Sequence, residues 1–277
     1  SLWLDALAKN QHNARAMASI AIHLGWGEDS KPATDRLALS LFQAALGQHQ
    51  HRTKIEADIY GNMASLLYKG GDYTKAIELY HQGLAVNPNF LKNRYDLIKP
   101  LVQLGRWDAA LENAKQLVNQ RRKKKNPDHY NIYGFLLLWQ DRPKEALYWF
   151  QQALLADPYN FPNILLNTGC ALSRTGHYLR AEWFYKYWFY KGKDRYPIEI
   201  VPFFLLIENS ERAGDRSKAL LYAKNLLAAF DVVSVFKALK NIESQRETVP
   251  LDKSLIAPVV KSAFYGFGTE AMEKRIF

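Results

Sequence analysis

Small and aromatic residues recur along this chain at the spacing of one helix pair. Alanines stand at Ala76, Ala110, Ala146, Ala181 and Ala219, separated by 34, 36, 35 and 38 residues. Four residues after three of them comes an aromatic: Tyr80, Phe150 and Tyr185. Three further on lies a small residue, Gly83 or Ala153, and a proline closes two of the units, at Pro88 and Pro158. Twelve residues before an alanine there is again a small residue, at Ala64, Gly134 and Gly169. A short polar turn precedes each alanine, as in Gly71-Asp72-Tyr73, Gly105-Arg106-Trp107, Asp141-Arg142-Pro143, Gly176-His177-Tyr178 and Gly214-Asp215-Arg216. An earlier copy is visible in Ala38, Phe42 and Ala45.

This pattern predicts antiparallel helix pairs. Ala or Gly is needed where two helices cross closely, because a larger side chain forces them apart. An aromatic four residues on shares that face and fills the space beside the crossing. Gly at a helix end permits a left-handed closing residue, and Asn-Pro or Asp-Pro stops the second helix. One pair cannot bury its own apolar face, so neighbouring pairs must stack to supply a core.

On these residues the chain resembles the tetratricopeptide repeat family, whose unit is 34 residues. The resemblance runs from about Ala14 to Phe230. It implies an all-α solenoid, a right-handed superhelix of antiparallel helix pairs. We expect about six pairs over residues 1–230 and capping helices over 231–277, with residues 232–247 as one helix. The pattern is broken in three places. The first repeat carries an insertion at 25–34, the third runs into a basic stretch before Asn126-Pro127, and the fifth has Trp188 where a small residue belongs, followed by a long link.

Composition is compatible with this reading. The 277 residues are 48% hydrophobic and 23% charged, enough for a packed core and unlike a disordered protein. The formal charge of +10 attracts acidic proteins, nucleic acid or anionic lipid without choosing among them. Nucleic acid rests on charge alone and is not expected. One cysteine, Cys170, excludes an internal disulfide and a Cys-based zinc site, and leaves the compartment open. No apolar run approaches the ~18 residues that span a bilayer. The sequence opens at Ser1 rather than Met, which reads as a portion of a longer protein.

Candidate chemistry is sparse, and no catalytic residues, metal or cofactor are expected. Residues 266–271 superficially fit a dinucleotide fingerprint, but no βαβ unit surrounds them. His49, His51 and His81 lack acidic or Cys companions and read as loop residues. Cys170 follows Gly169 and reads as a buried small residue.

The family resemblance implies instead a non-catalytic scaffold that binds a protein or peptide segment in a concave groove lined by the first helix of each pair. By phase the groove residues are Asn62, Tyr68, Tyr95, Lys99, Asn131, Phe135, Trp139, Asn167 and Arg174, with Ser65, Lys69, Cys170, Phe204, Glu208 and Arg212 in the same rows. Asn can bracket a peptide amide, and flat aromatics give apolar contact. Outside the groove, the basic patch Arg121, Arg122, Lys123, Lys124 and Lys125 reads either as a solvated inter-repeat loop or as a site for phosphates or anionic headgroups. The aromatic run at 183–191 exceeds what one buried stripe requires. Part of it must pack on neighbours, and the rest is left for a partner, a sugar or a membrane interface.

The opening, with Leu2-Trp3-Leu4-Asp5 and Asn13-Ala14-Arg15-Ala16, is similar to the junction of polytopic membrane proteins in which a glycosyltransferase-like portion precedes a tetratricopeptide tail. The transmembrane-and-TPR O-mannosyltransferase group is an example. That similarity implies a periplasmic or extracytoplasmic accessory domain of a membrane-bound parent, with a cytoplasmic location as the alternative. Oligomeric state is left open.

Overall fold

A computed structural model describes residues 9, 13–27, 31–47, 54–120, 126–157, 162–192, 200–242 and 250–265. The described residues form fourteen α-helices and no strand. They fall in two compact units, 1–120 and 121–277.

The first unit contains three helix pairs. They are α1 (Ala14–Trp26) with α2 (Pro32–Gly47), α3 (Lys54–Lys69) with α4 (Tyr73–Val86), and α5 (Leu91–Gln103) with α6 (Trp107–Val118). Within this unit each second helix also packs on the first helix of the following pair. Helices α1 and α2 extend further into the 25–34 insertion than the sequence pattern suggested, leaving 27–31 between them. Ala38, Phe42 and Ala45 sit in a core with Ala21, Ile59 and Leu66.

The second unit contains α7 (Pro127–Trp139) with α8 (Pro143–Ala156), α9 (Pro162–Arg174) with α10 (Tyr178–Gly192), and α11 (Ile200–Arg212) with α12 (Arg216–Ala229). Helices α13 (Val232–Asn241) and α14 (Lys253–Tyr265) follow. The α13 helix covers 232–241 of the 232–247 expected from sequence, and 243–249 lie outside the described residues. The α14 helix lies on α11 and α12, burying Ile256, Val259, Val260 and Ala263.

The same turn closes the first helix of five pairs. After α3, the Asp72 N–H donates to Leu67 O at 2.9 Å and the Gly71 N–H to Tyr68 O at 3.0 Å. These two hydrogen bonds satisfy carbonyls left over at the helix end and require a left-handed residue. Gly71, Gly105, Gly176 and Gly214 provide it, with φ of 70–84°. Asp141 takes that place after α7, with φ of 54°. Short polar side chains are among the few non-glycine groups that tolerate this region. Asp72 and Asp215 then cap the following helix, accepting from the N–H groups of Lys75 and Lys218.

The recurrent alanines are all fully buried at the crossings of their pairs. In the second unit the crossing glycines make room for rings. A Cβ at Gly134 would fall 2.6 Å from the Phe150 ring, and one at Gly169 would meet the Tyr185 ring. In the first unit a polar plug does comparable work. Asn93 is fully buried against Gly61 and Gly83 and donates through Nδ2 to Ala57 O at 2.7 Å.

Candidate functional site: the first-helix faces

In the first unit, Asn62 and Tyr68 lie on α3, and Tyr95 and Lys99 on α5. Asn62 is buried and accepts from Lys92 Nζ at 3.0 Å; the same ammonium reaches Asp58 at 3.2 Å. Tyr68 is half-buried, its ring 5.5 Å from that of Tyr73. Tyr95 is half-buried and Lys99 is exposed. Asp96 lies between these two groups in sequence, and burial raises its carboxyl pKa against the pull of Lys99 and Lys92. Lys69 ties α3 to the first pair, donating to Gly25 O at 3.3 Å and pairing with Asp35 at 3.1 Å. Ser65 and the Tyr80 hydroxyl share a 2.8 Å hydrogen bond.

In the second unit, Asn131 on α7 accepts from Asn167 Nδ2 on α9 at 2.8 Å, joining two successive first helices. Trp139 is half-buried at the end of α7. Phe135 is buried, and so are Cys170 and Phe204, which therefore belong to the core and not to an open face. Burial pushes the Cys170 thiol up to about 12, so it is not a nucleophile at neutral pH. Arg121, Arg122, Lys123, Lys124 and Lys125 lie outside the described residues, as do His49, His51 and residues 266–271.

The remaining groups on this face hold part of the protein itself. Arg174 Nη2 donates to Pro250 O at 2.6 Å. Glu208 accepts from the Asp252 N–H at 3.0 Å, and Arg212 pairs with Glu208 at 2.9 Å and with Asp252 at 3.6 Å. Side chains of α9 and α11 thus bond the backbone of residues 250 and 252. A cleft of about 460 Å³ adjoins this contact, lined by Arg174, Arg212, Asp141 and residues 251–254. Arg174 faces Asp141 across 3.7 Å.

Several polar groups that join neighbouring pairs were not picked out by sequence. Asn93 is one. Another is Glu182, buried on α10, which accepts from Lys218 at 2.6 Å and the Tyr222 hydroxyl at 2.7 Å on α12, and from Lys186 at 2.7 Å on its own helix. Burial opposes ionisation of Glu182, but these donors outweigh it and hold the carboxyl at about 2. The available signal was Lys218, 36 residues downstream, close to one repeat length.

Among the described residues, no group of three His, Cys, Asp or Glu side chains is arranged to hold a metal ion, and no helix is long and apolar enough to cross a membrane. The paired helices, the buried alanines and the shared turns define an all-α solenoid of the tetratricopeptide type. Residues 57–90 match the tetratricopeptide repeat family model. No curated protein sequence matches it. Solved structures share its fold. PilW, a widely conserved type IV pilus biogenesis factor, superposes with a TM-score of 0.66 at 16% identity, covering 82% of this chain and 98% of its own. Pseudomonas aeruginosa PilF gives 0.63 at 17% identity, with the same coverage of 82% and 98%. YrrB, a TPR protein with an unusual peptide-binding site, gives 0.54 at 18% identity over 72% of this chain and 97% of its own. At these identities the likeness is one of fold.

Proposed function

We propose that this protein is a non-catalytic protein-interaction scaffold, holding an extended peptide or protein segment against the first helices of its pairs. The observation that carries this reading is that Arg174 and Glu208 already bond a backbone segment, that of residues 250 and 252. A face that pairs with backbone carbonyl and N–H groups can bind other segments in the same way. The fold shared with YrrB, which has a peptide-binding site, is consistent with it.

In this reading Asn62, Asn131 and Asn167 supply amides to the segment's backbone, while Tyr68, Tyr95 and Trp139 supply flat apolar area. Lys99 and Arg174 favour acidic side chains. Residues 1–230 form the repeat array and 231–277 its cap, with α14 covering the last pair. The test is selection of binding peptides from a display library, followed by titration against Tyr95→Ala and Trp139→Ala. Each variant is expected to weaken binding at least about tenfold with unchanged helical circular dichroism. Full affinity in both variants would remove the first-helix face from the reading.

A further inference from the structure

The second helix of each pair has an outward row two residues after its buried alanine. In the first unit this row is Ser40, Glu78 and Glu112, all exposed. In the second unit it is Tyr148, Trp183 and Leu221, exposed by 53%, 57% and 55%. The replacement of polar groups by apolar surface is thus in register, occurring at all three pairs of one unit and at none of the other. Leu155 and Leu179 add to it and stand out furthest, at 77% and 82%. On α10, Leu179, Trp183 and Tyr187 follow one another at four-residue spacing and so share one stripe. The Trp183 and Tyr187 rings stack at 4.9 Å, 8° from parallel.

Cations flank this stripe. Arg180, Lys186 and Lys224 are exposed beside it on α10 and α12, and Lys144 on α8. The neighbouring carboxylates are engaged: Glu182 by Lys186, Lys218 and Tyr222, and Glu145 by both nitrogens of an Arg142 fork at 2.7 Å. The Glu182 cluster also fixes α10 beside α12, so Trp183 and Leu221 are held on a rigid support. We propose that this outer face of the second unit docks on an anionic lipid bilayer.

Three arguments select lipid over a protein partner. Protein interfaces deplete lysine at their centres, whereas Lys lies among the aromatics here. Trp and Tyr with Lys and Arg are the side chains that sit at a bilayer boundary, rings at the headgroup level and cations on anionic lipid. Protruding single leucines on a cationic surface suit insertion between acyl chains near the headgroups. The proposal is independent of peptide binding on the first-helix face.

The experiment is co-sedimentation of the full protein with vesicles of phosphatidylcholine alone and of phosphatidylcholine with about 30 mol% phosphatidylglycerol. Binding to the anionic vesicles is expected, at least about tenfold above the neutral ones. Leu179→Ser/Trp183→Ser is expected to lower it about tenfold, and Arg180→Glu/Lys224→Glu by a similar factor. All four positions are exposed, and circular dichroism checks that the variants fold. Lack of vesicle binding overturns the proposal, as does equal binding to neutral vesicles. Binding that the Leu179→Ser/Trp183→Ser variant leaves intact places the contact elsewhere on the molecule and also overturns it. A dimer that this variant dissociates, without vesicle binding, would give the face to a second copy instead.

Discussion

The two units solve the same stacking problem with different chemistry. In the first, successive pairs are joined by exposed cations: Lys69 reaches Asp35, and Lys92 reaches Asp58 and Asn62. Its buried crossing is filled by an amide, Asn93. In the second, rings of Phe150 and Tyr185 fill the crossings at Gly134 and Gly169. Its joints are an amide pair, a buried carboxylate and a returning segment of the protein. Breaking an exposed ion pair costs little, whereas removing one partner of an engaged buried carboxylate or overfilling a close ring contact costs several times more. The same repeat geometry therefore rests on joints of unequal strength.

The largest effect is expected from Gly169→Leu. The Tyr185 ring occupies the space that the new side chain needs, so overpacking costs about 1–3 kcal/mol or more. Thermal unfolding checks this, and hydrogen exchange shows whether protection is lost in the second unit first. An unchanged melting curve would mean the ring is free to move aside.

Glu182→Gln comes next, at about 2 kcal/mol, since it weakens bonds from Lys186, Lys218 and Tyr222 at once. It also has a pH signature. The folded carboxyl is held at about 2, below its usual value, so its contribution is complete above the unfolded pKa and is lost as pH falls toward 2. Denaturant midpoints measured between about pH 5 and pH 2 should fall less steeply in Glu182→Gln than in the parent protein.

Glu208→Ala removes the acceptor for Asp252 N–H and the partner of Arg212. A loss of about 1–2 kcal/mol is expected, read as faster amide exchange over α14. If α14 exchanges no faster, its apolar face alone holds it in place. The smallest effect is expected from Lys69→Ala and Lys92→Ala, each within about 1 kcal/mol in urea unfolding. A larger loss in either would erase the contrast between the units.

The helix pairs were legible in the sequence because their spacing is set by local rules. A buried alanine, an aromatic four residues on and a left-handed turn residue are each a statement about one pair. Ala76, Ala146 and Ala181 are accordingly where the pattern put them, at the crossings. Asp141 is instructive, since it keeps the turn without the glycine that marks it elsewhere. The joints between pairs were not legible. Asn93 and Glu182 look like ordinary polar residues until the fold is closed, Glu208 was read as a groove residue and not as a joint, and the partners that the three reach on other elements lie 36 to 44 residues away. Periodicity shows which faces meet, but not which polar atoms bond across them. The first-helix residues named from phase share this limit. Asn131 and Asn167 bond each other, Arg174 bonds Pro250, and Phe135 is buried.

The burial of Cys170 has a practical side. It is the protein's one cysteine, and its environment holds the sulfur in the protonated, shielded form. The native protein is in effect a thiol-silent background. A cysteine placed at Trp183 or at Lys99 would be the reactive one, so a dye or spin label could be attached to either face without first removing anything. The inner and outer surfaces of the repeats can then be interrogated separately, in the presence of peptide or of vesicles.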